Sequence, residues 1–132
     1  MPIIAARTKP IMLATGLLTC TMIYALFYPD AALKSMFGES LGDTALAQIV
    51  VRSWGGLITL IGAMLLYGAF RPKVRPLILA IAGLSKLIFV GLLLLLGSQY
   101  LPKTATPVLV DSIAILLFAL CLPNARHEAR NA

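Results

Sequence analysis

Acidic residues are scarce in this chain, five against eleven lysines and arginines in 132 residues. Histidine is scarcer still. The single one, His127, lies in the polar tail, which disfavours histidine-ligated haem and histidine proton relays inside the apolar segments. Cysteine occurs twice, at Cys20 and Cys121, with no CxxC and no Cys/His cluster of zinc spacing, so neither a redox pair nor a metal site is expected. No phosphate-cradling glycine loop, HExxH or GxSxG is present, and a Ser/His/Asp set lacks a usable histidine. These absences lean away from an enzyme and supply no catalytic residue.

What fills the chain instead is apolar. Sixty per cent of the residues are hydrophobic, where soluble domains hold roughly half. The length allows a single domain, 1–132, without a large extramembrane part. The apolar runs predict an all-α polytopic membrane protein. Its core is a four-transmembrane-helix bundle with spans at about 11–28, 49–70, 76–97 and 104–122, plus a short outer interfacial segment. The first run follows Arg7 and Lys9 like a signal peptide, but continues to Tyr28 without a small-x-small cleavage site, so a retained span is expected. The fourth has two candidate starts, Thr104 and Pro107, and is expected to stop at Pro123, leaving the polar tail NARHEARNA to fray. Between the first two spans, Ala32, Leu33, Met36 and Phe37 recur at helical spacing before Gly38. This fits a short surface helix or, equally, an irregular loop.

The net charge of +6 is topological: the basic residues flank apolar runs instead of interleaving with exposed aromatics, and nucleic acid is not an expected partner. Arg7, Lys9, Arg71, Lys73, Arg75, Arg126 and Arg130 fall on one side, against Lys34, Arg52 and Lys103 on the other. This bias predicts that both termini are cytoplasmic. Trp54, Tyr28 and Tyr100 then mark the outer boundary and Tyr67 and Phe70 the inner one.

Lys86 stands in the middle of the third apolar run. A lysine there costs roughly 2.5–3.5 kcal/mol on insertion scales, so it should be paired, face a wet cavity, or act. At about 1.5 Å per residue, Lys86 comes out roughly 15 Å deep and Asp111 roughly 16 Å. Neighbouring helices joined by a short loop pack side by side, so a buried Lys86–Asp111 ion pair is one reading. The other starts the fourth helix at Pro107 and puts Asp111 in its first turn, near the interface. Arg52 fits an interfacial anchor that reaches the headgroups. A sharper alternative gathers Arg52, Tyr24, Lys86 and Asp111, with Ser53, Ser85 and Ser112, around one outward cavity for an anionic or carbonyl-bearing ligand. Gly55, Thr59 and Ala63, at i, i+4 and i+8, form a small-residue stripe for close helix packing. Cys20 and Cys121 differ by about 12 Å in depth, too far for a disulfide.

Several of these features resemble the DoxX-like group of small four-helix bacterial membrane proteins. They are the four-span layout, the outer loop from Tyr28-Pro29-Asp30 to Phe37-Gly38-Glu39, and the Val51-Arg52-Ser53-Trp54-Gly55-Gly56 opening of the second span with Gly62 beyond it. The resemblance covers most of residues 11–122. It implies a bundle in the bacterial cytoplasmic (inner) membrane, with some relatives tied to quinone-linked thiol or sulfur chemistry, and it transfers no catalytic motif. Three roles stay open: an accessory or assembly module binding a membrane-protein partner or a second copy, a ligand-binding module, and a small oligomeric transporter. No resident cofactor is predicted; quinone or membrane lipid is the compatible ligand.

Overall fold

The computed structural model describes residues 6–131; the ends of the expected 1–132 domain, residues 1–5 and 132, lie outside the described residues. The elements in order are α1 (Thr8–Cys20), α2 (Ile23–Phe27), α3 (Pro29–Phe37), α4 (Ala45–Ala69), α5 (Arg75–Leu96) and α6 (Leu101–Asn131). Short 3-10 turns precede α5 and α6, and no strand occurs among the described residues. Four stretches, Thr8–Phe27, Ala45–Ala69, Pro72–Leu96 and Ser98–Asn131, are long and apolar enough to cross a membrane. They pack in ring order: the first on the second, the second on the third, the third on the fourth, with only a thin seam closing the fourth onto the first. The start of the first span and the end of the fourth lie at one end of the bundle, the terminal end; α3 covers the other, the loop end.

The first span is one apolar run in two helices. Around the break at Thr21 and Met22, the amides reach carbonyls three residues back, Thr21 to Leu18 and Met22 to Thr19. The cause is local. Thr15, Thr19 and Thr21 turn their hydroxyls onto the preceding turn, donating to Ile11 O (2.7 Å), Thr15 O (2.6 Å) and Leu18 O (2.6 Å). Such back-bonding satisfies the hydroxyls in an apolar medium and bends the helix. On both sides of the bend, α1 and α2 lie backbone to backbone against α4. A Cβ on Gly62 would fall 2.8 Å from Cys20 N and 2.9 Å from Gly16 O, and one on Gly55 2.9 Å from Leu26 N. Gly55 and Thr59 therefore sit at the contact as expected, with Thr59 Oγ1 bonded to Gly55 O at 2.7 Å. Ala63 does not: it is exposed, and Gly62 takes its place.

α3 settles the outer segment as a helix. Pro29 opens it, where its missing N–H costs nothing, and Gly38 closes it at φ 73°, a left-handed backbone that glycine accepts freely. Phe37 then lies over the bundle, 5.6 Å edge-on from the Tyr100 ring and 6.3 Å from Trp54, which stacks on Phe89 at 6.4 Å. These aromatics close the loop end. The apolar core, Met12, Leu65, Ala69, Ile78, Leu79, Ala82, Ala114, Phe118, Cys121 and Ala125, fills the terminal half.

Two expectations for the fourth span are corrected. α6 begins at Leu101, ahead of both candidate starts, with Pro102 in its first turn and Pro107 and Pro123 inside it. The tail does not fray among the described residues; it continues the helix to Asn131. Pro123 removes one amide, but tertiary contacts hold the next turns. Ala125 is fully buried, Asn124 donates to Glu128 Oε1 at 2.8 Å, and Arg75 bonds Glu128 Oε2 at 2.7 Å. Arg75 also donates to Gly68 O and Ala69 O, two of the last carbonyls of α4.

Candidate functional site

Lys86 projects from the middle of α5 and Asp111 from the third turn of α6. The ammonium lies 2.8 Å from Asp111 Oδ1, with the side chains 13 % and 20 % exposed. The early start of α6 decides this geometry, because it carries Asp111 well past the first turn and level with Lys86. The pair sits above the apolar core and below the aromatic cap. Each charge removes the other's penalty for being out of water. The ammonium has three donors, and the pair uses one.

Beside the pair, the thin seam between the first and fourth spans opens into a crevice of about 250 Å³. Thr15, Leu18 and Thr19 of α1 form one wall, Val110, Ile113, Ala114 and Leu117 of α6 the other, and Lys86 the polar spot. Leu18 and Ile113 are about half exposed, so the mouth opens sideways, toward lipid. The threonine hydroxyls already bond to their own helix, which leaves the lining apolar apart from the ammonium. The crevice is slightly smaller than drug-sized sites of roughly 300–1,000 Å³. It suits a ring or a carbonyl-bearing head whose tail stays among the acyl chains.

The structure does not gather the other candidates here. Arg52 is exposed at the loop end, where Nη1 donates to Leu26 O at 2.8 Å and Nε to Gln48 Oε1 at 3.2 Å. It thereby satisfies a carbonyl in the last turn of α2, a favourable place for a cation. With Ser53 it lines a separate, shallower groove of about 680 Å³ between the first two spans. Tyr24 is exposed, its ring 5.4 Å from that of Tyr28. Ser85 is half-buried, Ser112 is exposed, and neither lines the crevice. Gly55 is covered by the first span, whereas Thr59 is half-buried and lines the same groove as Arg52 and Ser53. Cys20 and Cys121 are not joined in a disulfide, in line with the depth count.

Two features escaped the sequence reading. Thr15 and Thr19, at i and i+4, place two threonines with self-satisfied hydroxyls on the crevice wall, and that spacing was available as a signal. The Arg75–Glu128 bridge joins residues 53 apart; its one hint was an acid standing alone among seven cations. Outside the spans, Asp30 accepts from the Leu41 amide at 2.9 Å and pairs with Lys34 at 3.0 Å. The backbone hydrogen bond first, and then the lysine, hold its carboxyl below the ordinary carboxylate range.

The four apolar helices and their ring of contacts define a multi-pass membrane protein of the four-helix-bundle class. No protein-family model, no curated protein and no solved structure matches the chain.

Proposed function

We propose that this protein is a membrane-embedded binding module that takes the ring or carbonyl-bearing head of an apolar molecule, quinone-like in character, into the crevice between its first and fourth spans. One observation carries the reading: Lys86 lines the crevice while remaining paired with Asp111. Asp111 holds the Lys86 side chain in place, and a ligand carbonyl accepts one of the remaining N–H donors. The DoxX-like resemblance, some of whose members are tied to quinone-linked chemistry, supports the same ligand class; no redox step is assigned to Cys20 or Cys121. The placement of seven cations at the terminal end against three at the loop end supports cytoplasmic termini, and the DoxX-like resemblance supports a bacterial inner-membrane location. An accessory or self-associating role would use the exposed side of this stripe, at Ala63, or the loop between the first two spans.

The test is photolabelling of the purified protein with a short-tailed azido-benzoquinone, mapped by peptide mass spectrometry. Label is expected on Thr15–Thr19 and Val110–Leu117, and Thr15→Phe, which fills the crevice, should abolish it with helix content unchanged. Uniform labelling that also reaches the lipid-facing Leu95, or labelling indifferent to Thr15→Phe, overturns the reading.

A further inference from the structure

The terminal end holds a second site, on the opposite side of the first span from the crevice seam. Lys9 Nζ stands 4.6 Å from the centroid of the Phe70 ring, and the Arg71 guanidinium 5.7 Å from that of Tyr67. Tyr67 and Phe70 are three residues apart and share a face of α4. The glycine contact fixes the level. Gly16 meets Gly62, and counting toward the terminal end puts Lys9 about 10 Å and Arg71 about 14 Å from it. Both cations therefore stand within about one helical turn of each other in depth, at the terminal ends of the first two spans, the level at which bilayer phosphates lie. Both rings are more than half exposed, 57 % and 61 %, and face the surrounding lipid. Charge at this end is unbalanced: Glu128 is its one acid, and Arg75 already engages it.

We infer that Lys9 and Arg71 form a binding site for the phosphodiester of an anionic phospholipid, with Tyr67 and Phe70 beneath them. The rings hold both cations in place before the lipid arrives, which lowers the cost of ordering them. The phosphate accepts charge-assisted hydrogen bonds from both. A zwitterionic headgroup brings its own ammonium into a field with no acid to receive it, so the site discriminates by headgroup charge.

Native mass spectrometry of the full chain, released from micelles with equimolar phosphatidylglycerol and phosphatidylcholine, tests this directly. Phosphatidylglycerol adducts should dominate. Each cation near an anionic headgroup contributes about fivefold in affinity, so K9Q/R71Q should lose about 30-fold. The charge-preserving K9R/R71K should retain most binding. K73Q/R126Q, an equal loss of charge at exposed positions, should change it only a few-fold, and excess inorganic phosphate should leave the adduct in place. Equal adducts of the two lipids overturn the site, as does retention in K9Q/R71Q, an equal loss in K73Q/R126Q, or displacement by free phosphate.

Discussion

The two halves of the bundle are held by opposite means. The first and second spans approach until backbone meets backbone, through Gly16, Gly55 and Gly62, and no ion pair between them is seen among the described residues. Between the third and fourth spans lie side chains, the ring of Phe118 and small Ala82 and Ala114. They are tied by charge at two levels, Lys86 to Asp111 and Arg75 to Glu128. In lipid the hydrophobic effect does not draw helices together, so packing and polar contacts must do it. The first hairpin relies on packing, with a hydrogen bond from Arg52 to Leu26 O at its rim; the second adds ion pairs. The glycine pair depends on shape and tolerates no added atom. The charged pair tolerates volume but not the loss of a partner.

The largest effect should come from breaking the charged half on one side. Lys86→Met leaves Asp111 without its counter-charge and is expected to cost about 3–5 kcal/mol, read as a fall in unfolding midpoint in detergent. Lys86→Leu together with Asp111→Asn should recover most of that; a double variant as unstable as the single one would mean the pair is not what Lys86 answers to. Next comes the glycine half. Gly62→Ala forces a Cβ against Cys20 N and Gly16 O and should cost about 1–3 kcal/mol in the same assay. The matched control is Gly91 in α5, whose Cβ would meet nothing within 4 Å. Gly91→Ala should be neutral or stabilising by up to about 1 kcal/mol, since alanine is the better helix former. Equal costs at the two glycines would erase the distinction between the halves.

The smallest effect lies outside both. Asp30 is held below its ordinary range, so its contribution to the outer segment is complete above the unfolded carboxylate value, about 3.9. It is lost as pH falls through the lower folded value. Hydrogen exchange at the Leu41 amide should accelerate across that acidic window, after correction for the intrinsic pH dependence. Asp30→Asn should abolish the transition.

Much of this was legible in the sequence because lipid simplifies the grammar. Apolar runs of fixed length give the spans, and counting residues gives depth, which brought Lys86 and Asp111 to one level before any contact was known. Depth counting does not give phase. Three positions spaced by four residues, Gly55, Thr59 and Ala63, drift about 80° around a helix, whereas Gly55 and Gly62 return to within about 20°. That drift is why Ala63 looks outward. The same blindness to phase merged Arg52 and Tyr24 with a crevice that they do not reach. The tail misled for another reason: its helix is held by Arg75, and no local pattern announces a partner 53 residues away.

The 25 residues between Lys86 and Asp111 also set a clock. Chains grow at about 5–20 residues per second, so Lys86 leaves the ribosome roughly one to five seconds before the carboxylate that neutralises it. During that interval the third span is least content to stay in lipid. The first two spans need no such wait, since glycine meets glycine as soon as both are made. Membrane insertion of this protein should therefore stall, if anywhere, between residues 86 and 111. A strong translational pause placed there would prolong the interval, and surveillance proteases would find the chain with its lysine unanswered.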